Sequence, residues 1–201
     1  EVVWNDAPQR FEAGTPNVAG AIALAAALNT LAAVGLERIA AHERELTARL
    51  LRLLDGLDGV RVYGDSDPAR AGERLGIVPF AVRGMDHGLA AAILSAEHGI
   101  AVRNGSFCAQ PYVRALLGGG DVGCGARRDA SAGLVRASIG LHTTAEDIDA
   151  LAGALESISR GRYRGDYELR DGAYRPRGWS PPLDDYLALA CPALFPAPAL
   201  R

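Results

Sequence analysis

The spacing of apolar residues changes along the chain, and these changes predict helices that alternate with short strands. Residues 15–34 are rich in alanine and leucine, and their Thr-Pro start is typical of an N-cap followed by proline in the first turn. Gly35 suits the position just after the last turn of this helix. Residues 36–54 place apolar side chains on one stripe and most charged side chains off it. We therefore predict two consecutive helices, the first capped by Thr15.

Four apolar runs are too short for helices and predict strands. They cover residues 60–63, 76–82, 100–103 and 134–139. Two further helices are expected: one is capped by Asp86 and ends near His98, and the other begins at a capping box formed by Thr144 and Asp147 and ends near Ser159. Helices that pack on a few short strands make an α+β fold.

The end of the chain has a different composition. From Gly161 onward, arginine, tyrosine and tryptophan alternate with glycine and acidic residues, and Asp171-Gly172 predicts the turn of a β-hairpin. After Pro181 the chain is rich in proline, and we expect it to wrap on a neighbour or to be disordered. We therefore treat residues 161–201 as an extended C-terminal tail that contributes an oligomer contact.

Charge and cysteine content exclude several classes of protein. The formal net charge is −3 and the charges are spread along the chain, so no basic patch indicates binding to nucleic acid. The longest apolar run, residues 18–34, contains Gly20, Asn29 and Thr30, and we expect no membrane span. The three cysteines form no C-x-x-C pair and the four histidines have no metal-ligand spacing, so we expect no metal site and a cytoplasmic location. Cys124 lies in the glycine-rich run 118–125, which predicts a flexible loop.

A phosphate-binding position is predicted at the start of the first helix. Thr15 follows Gly14 there, and its hydroxyl, the free N–H groups of the first turn and the positive end of the helix dipole favour a phosphate. An ordinary capped helix is the alternative explanation of these residues.

Two other positions suggest chemistry on an amino acid. Cys108 lies on a loop beside Gly105 after a strand that ends in Arg103, and a nearby guanidinium favours the reactive thiolate. Arg136 lies in an otherwise apolar strand and needs an anion there, and its planar fork suits an α-carboxylate. A small buried cysteine and a structural ion pair are the alternative explanations.

Three segments resemble, in order and spacing, the motifs of one enzyme family. They read RFEAGTPN at residues 10–17, GIAVRNGSFCAQP at residues 99–111 and VRASIGLHTTAEDID at residues 135–149. Together they resemble the class V aminotransferase-like enzymes that depend on pyridoxal phosphate, especially cysteine desulfurases of the SufS type and selenocysteine lyases. The resemblance covers residues from about 10 to 160.

The resemblance implies a fold and a set of roles. The fold would be the C-terminal small domain of a fold-type I pyridoxal-phosphate transferase, with helices on a small, mainly antiparallel sheet. Residues 1–17 would end the large cofactor-binding domain with its phosphate loop, and residues 18–160 would form a long helix and the small domain.

The resemblance also implies a site shared between two subunits. Thr15 and Gly14 would bind the cofactor phosphate in trans across a homodimer. Arg136, with Arg103 as a weaker candidate, would hold the carboxylate of the amino-acid substrate. Cys108 would take the substrate sulfur as a persulfide while alanine is released, and a sulfur acceptor protein would be a partner.

Lysine is absent from the chain, since all 21 residues counted as Lys+Arg are arginines. Schiff-base chemistry on pyridoxal phosphate needs a lysine amine, which arginine cannot replace because its guanidinium stays protonated. We therefore expect the chain to begin inside a longer protein, whose large domain carries the lysine, and to be inactive alone. Transamination, epimerisation or another lyase reaction, and a non-catalytic domain that docks on a complete paralogue, remain alternatives. Ser106-Phe107 departs from the histidines that many desulfurases carry before the cysteine, which leaves the substrate open.

Overall fold

The computed structural model describes residues 2–118 and 133–179. The α helices in this part are α1 (Val18–Val34), α2 (Leu36–Asp55), α3 (His87–His98), α4 (Gln110–Leu116) and α5 (Ala145–Ser159). The strands are β1 (Val60–Val62), β2 (Ile77–Val82), β3 (Arg103–Gly105), β4 (Leu134–Ser138), β5 (Tyr167–Arg170) and β6 (Ala173–Pro176). Short 3-10 helices cover Gln9–Phe11 and Pro68–Glu73.

The first four strands form one sheet in the order β1-β2-β4-β3, and every neighbouring pair is antiparallel. Phe80 lies opposite Val135, and both side chains are fully buried. Because side chains alternate between the faces of a sheet, these two residues and their i±2 neighbours face one side. Helices α2, α3 and α5 cover that side and complete the main core. This arrangement confirms the predicted α+β fold with an antiparallel sheet.

The opposite side of the sheet is covered by less structure. Leu134 and Tyr63 pack there with Val113 of α4, and Phe107 and Leu116 lie against them. The second cluster, as we call this group, is small, so parts of the sheet beside it remain open to solvent. Charged residues of β3 and β4 lie on this side.

Helix α1 is apolar around its whole circumference and buries none of its residues. Ile22, Leu24 and Leu28 are all more than half exposed. A helix that is apolar on all sides is normally buried, so this surface is suited to a covering partner. Within the described residues no single helix has the length and composition of a membrane span. Helices α1 and α2 pass that test only as a pair, and they are bent by 76°.

Two predicted boundaries are wrong. Thr15 does not cap α1, because Asn17 does so by accepting a hydrogen bond from the Gly20 N–H at 2.9 Å. The strand predicted at residues 100–103 is found at Arg103–Gly105 instead. Gly99 ends α3 in a left-handed conformation, and the Ile100 N–H then donates to the carbonyl of Leu94 at 3.0 Å, so the chain becomes extended only afterwards.

The predicted hairpin in the C-terminal segment is confirmed. β5 and β6 pair around Asp171 and Gly172, whose φ angles of 52° and 76° are the left-handed values that a tight hairpin turn requires. The hairpin packs on α3, so this part of the predicted tail is docked on the domain. Residues 180–201, and the glycine-rich loop with Cys124, lie outside the described residues.

One carboxylate, that of Glu97 on α3, anchors the chain that leads into the hairpin. It accepts hydrogen bonds from the N–H groups of Arg164 at 2.9 Å and Gly165 at 2.8 Å and from the Tyr167 hydroxyl at 2.9 Å. Backbone and side-chain donors converging on an ionised acceptor make strong hydrogen bonds. The hairpin is therefore tied to α3 by a charge that titrates.

The contacts of Glu97 shift its pKa and that of its partner. Burial alone would raise the pKa of Glu97, but the N–H groups of Arg164 and Gly165 and the hydroxyl of Tyr167 together lower it. Burial, followed by the hydrogen bond to Glu97, raises the pKa of Tyr167 to about 12. Because the folded pKa of Glu97 lies below the unfolded value, its contribution to stability is complete above the unfolded pKa. That contribution is lost as pH falls through the folded pKa.

Acid should therefore loosen the hairpin. In a Trp4→Phe background Trp179 is the one tryptophan left in the chain, and its fluorescence reports on the hairpin. We expect its emission to change as pH falls below about 4.3, the ordinary pKa of a glutamate. Glu97→Gln should remove this dependence, whereas Asp149→Asn, which removes a surface ion pair with Arg49, should keep it. The same acid transition in Glu97→Gln would show that another group anchors the hairpin.

Candidate functional site

Two arginines lie side by side on the open face of the sheet. Arg103 of β3 and Arg136 of β4 are directly opposite each other in the antiparallel ladder, so their side chains leave the same face. Like charges at such positions repel. In the part of the chain that the structure describes, neither guanidinium forms an ion pair with a carboxylate. The pair is therefore suited to receive an anion.

Arg136 has an incompletely satisfied guanidinium. Its side chain is half-buried, and its Nε atom is buried without a hydrogen-bond partner among the described residues. The centre of the guanidinium lies 5.1 Å from the centroid of the Phe107 ring, which is within the range of a cation–π contact. A buried donor without a partner is costly, so an acceptor that reaches this edge would be favoured.

Cys108 lies in a turn with an unusual backbone. Phe107 and Cys108 have φ angles of 53° and 60°, and the Ala109 N–H donates to the carbonyl of Ser106 at 2.8 Å across them. A left-handed conformation costs a residue with a side chain about 1–2 kcal/mol, and such strain is concentrated at functional positions. The Cys108 side chain is exposed and free of any disulfide, so its thiol is accessible.

The other side of β3 is held by a contact that sequence reasoning missed. The Nδ1 atom of His87, the first residue of α3, lies 3.1 Å from the Oδ1 atom of Asn104. Asn104 lies opposite Val135 and so points to the helix-covered face, while the adjacent Arg103 points to the open face. The sequence shows only that His87 has no metal-ligand spacing, and no local pattern links it to β3. The contact fixes the strand from which Arg103 projects.

The predicted phosphate-binding residues lie apart from this group. Thr15 and Gly14 are exposed, and none of the hydrogen bonds or ion pairs of the described residues joins them to Arg136 or Cys108. Gly14 has a φ angle of +73°, which favours glycine at that position. Within residues 2–118 and 133–179, no three histidine, cysteine or acidic side chains come together as a metal site requires.

A cavity of about 650 Å³ lies elsewhere, between α3 and the hairpin. Its lining includes Asn104, Ser95, Leu169 and Tyr174, but none of Arg103, Arg136 and Cys108. Cavity size and candidate chemistry therefore point to different places. The arginine pair lies outside this cavity, next to the turn in which Phe107 contacts Arg136 and Cys108 is exposed.

The sequence and the fold match one family. Residues 1–151 match the family model described as Aminotransferase class-V, and the chain belongs to the class V aminotransferase family. Its relatives include a probable cysteine desulfurase of Halalkalibacterium halodurans, 42% identical over 153 residues. That match covers 76% of this chain and 33% of the relative. The cysteine desulfurase of Cronobacter sakazakii is 36% identical over 157 residues, covering 78% of this chain and 34% of the relative.

Two solved structures share the fold. The apo cysteine desulfurase of Thermococcus onnurineus NA1 has a TM-score of 0.63 and 37% identity, and the match covers 77% of this chain and 34% of that one. The cysteine desulfurase CsdA of Escherichia coli, in an S-sulfonic acid form, has a TM-score of 0.61 and 31% identity. That match covers 80% of this chain and 35% of CsdA. The chain thus spans about a third of the length of the relatives it matches. The predicted family is confirmed.

The strained turn predicts an effect on stability that separates glycine from alanine at position 108. Cys108→Gly should make the folded chain more stable than Cys108→Ala by about 1 kcal/mol, because glycine adopts a positive φ without steric cost. Chemical denaturation of the two variants measures the difference. Equal stability of the two variants, or a more stable alanine variant, would show that the turn is not left-handed at this position.

Proposed function

We propose that this chain supplies the substrate-carboxylate and sulfur-accepting elements of a cysteine desulfurase that depends on pyridoxal phosphate. The observation that carries the proposal is the pair Arg103 and Arg136 beside the turn of Cys108. The family supports the class of cofactor, and the names of the relatives support the reaction. Because the chain spans about a third of those relatives, the complete activity needs residues beyond it.

The residues present fit one end of the cofactor and not the other. Thr15 offers an exposed hydroxyl, and Gly14 offers a backbone that a phosphate can approach closely, just before α1. The chain has no lysine, so the amine that would hold the cofactor aldehyde must come from a large domain outside these residues. When bound, pyridoxal phosphate supplies the electron sink that makes the carbon–sulfur bond of the substrate breakable.

In this proposal Arg136 holds and orients the substrate. The edge of its guanidinium takes the α-carboxylate in a two-point contact, and Arg103 adds a second positive charge opposite it. A substrate fixed by its carboxylate has its side chain in one direction, which is how an arginine contributes orientation as well as affinity.

Cys108 then acts as the nucleophile. Its thiolate forms a sulfur–sulfur bond with the substrate sulfur while the carbon–sulfur bond of the substrate breaks. The electron pair of the broken bond stays with the carbon, which takes a proton and leaves as alanine. The persulfide on Cys108 is exposed, as the free thiol is, and an acceptor protein can therefore reach it.

Helix α1 provides the contact with the rest of the enzyme. Its apolar surface is exposed in this chain, and the relatives are about three times as long, so a large domain and a second subunit are its proposed cover. A homodimer of this kind would bring Thr15 of one subunit to the cofactor phosphate of the other.

The missing lysine favours a second candidate, a non-catalytic domain that docks on a complete paralogue. Such a domain would have no use for an accessible thiol near two arginines that form no ion pair with a carboxylate of residues 2–118 and 133–179. The two candidates therefore differ in whether Cys108 affects turnover.

The proposal is tested by combining this chain with a lysine-bearing large domain and measuring the turnover of cysteine. We expect Cys108→Ala to abolish persulfide formation from cysteine, because the attacking thiol is lost. Arg136→Gln should raise the KM for cysteine by about tenfold to a hundredfold, as the loss of a charged hydrogen-bonding partner does. Arg52→Gln, an exposed arginine on α2, is the matched control and should leave both parameters unchanged.

Two results would contradict this function. Turnover of cysteine that survives Cys108→Ala would remove the desulfurase assignment and favour transamination, epimerisation or another elimination. The absence of turnover in every combination with a large domain would favour the non-catalytic candidate.

A further inference from the structure

Phe107 lies between the two halves of the candidate site. Its ring contacts the guanidinium of Arg136, with 5.1 Å between the guanidinium carbon and the ring centroid. Its backbone is adjacent to that of Cys108, and both residues are central in one turn. The Phe107 side chain carries no exchangeable proton, so any effect it has on the chemistry is one of position.

The contact with Phe107 leaves Arg136 able to bind an anion. A cation–π contact occupies the face of the aromatic ring, whereas a carboxylate is bound by the N–H groups at the edge of the guanidinium. Both contacts can therefore exist at once. An anion at the edge fixes the plane of the guanidinium, and the plane of the guanidinium determines how the ring beneath it can lie.

The ring of Phe107 in turn determines the shape of the turn. It packs in the second cluster with Leu134 and Val113, which are almost fully buried. The φ angles of 53° and 60° at Phe107 and Cys108 are both in the sparsely allowed left-handed region. Such a turn persists only when its surroundings hold it, and the packing of the Phe107 ring in the second cluster is one contact that does so.

We propose that Phe107 is a positioning residue that couples the state of Arg136 to the position and reactivity of the Cys108 thiol. A carboxylate bound to Arg136 would then hold the Cys108 thiol in its reactive position. Without a bound anion, the turn of Phe107 and Cys108 would be less constrained. The identity of that carboxylate as the substrate's rests on the proposed function. The coupling between the three side chains does not, and it exists in this chain without any cofactor.

A double-mutant cycle on the 201-residue chain tests the coupling. The rate at which iodoacetamide alkylates Cys108 is measured by peptide mass spectrometry, which separates it from Cys124 and Cys191. We expect Arg136→Met to change this rate by about threefold, the size expected when a cation–π contact is lost. In a Phe107→Leu background, the same Arg136→Met substitution should have almost no effect. Phe107→Tyr keeps the aromatic face and should restore the effect of Arg136→Met.

Arg103→Met is the matched control for the charge of Arg136. It removes an equal charge from the neighbouring strand, and among the cation–π contacts of the described residues the Phe107 ring is paired with Arg136 and not with Arg103. Its effect on alkylation should therefore be the same with Phe107 and with Leu at position 107. Far-ultraviolet circular dichroism establishes that each variant is folded, and Phe107→Met replaces Phe107→Leu if the leucine variant is not.

Independent effects of Arg136→Met and Phe107→Leu on the alkylation rate would overturn the coupling. The coupling would also be overturned if the effect of Arg103→Met depended equally on residue 107. The alkylation rate would then respond to positive charge on this face of the sheet and not to the contact between Arg136 and Phe107. Failure of persulfide formation in the complete enzyme, with the cycle still non-additive, would count against the proposed function and leave the coupling standing. An additive cycle in an enzyme that does form the persulfide would overturn the coupling and leave the proposed function standing.

Discussion

The pairing of β3 with β4 is the interaction on which the candidate site depends. It sets Arg103 opposite Arg136 on one face of the sheet, where the two charges repel each other. The free energy that maintains this pairing comes from the other face, where Val135 and Phe80 are fully buried against α2, α3 and α5. The core thus holds two guanidinium groups in an arrangement that becomes favourable when an anion binds.

The surrounding elements hold this pair from several directions. His87 bonds Asn104 and so anchors β3 to α3 on the covered face. Phe107 lies against Arg136 on the open face and continues directly into Cys108. The same helix, α3, anchors the C-terminal hairpin through Glu97, and this hairpin follows the last residue that the family model matches. Helix α3 therefore connects the family's domain to the hairpin that follows it.

Much of the fold could be predicted from the sequence because its signals are local. The amphipathic stripe of α2, the caps of α3 and α5 and the Asp171-Gly172 turn each depend on residues a few positions apart. Predictions failed where two local signals compete or where an element is short. Residues 100–103 looked like a strand by composition, but the end of α3 takes up Ile100. Helix α4 has only seven residues and was not predicted at all.

The residues of the candidate site also fall into those that the sequence predicts and those that it does not. The sequence motifs identify Cys108, Arg103, Arg136 and Thr15 as candidates. The ladder explains why the two arginines are neighbours, although 32 residues separate them in the sequence. Phe107 and His87 were missed, because their partners are distant in the sequence. The roles of the motif residues stay predictions until they are measured.

The central claim is that Arg136 and Arg103 form a carboxylate site, and nuclear magnetic resonance of the arginine Nε–H groups tests it most directly. The buried Nε–H of Arg136 should exchange slowly and give a resolved signal, which Arg136→Gln would identify. We expect propionate to shift this signal to saturation, Arg103→Gln to weaken the binding, and uncharged propionamide to have no effect. A signal that does not respond to propionate, or that responds equally to propionamide, would show that the two arginines do not form a carboxylate site.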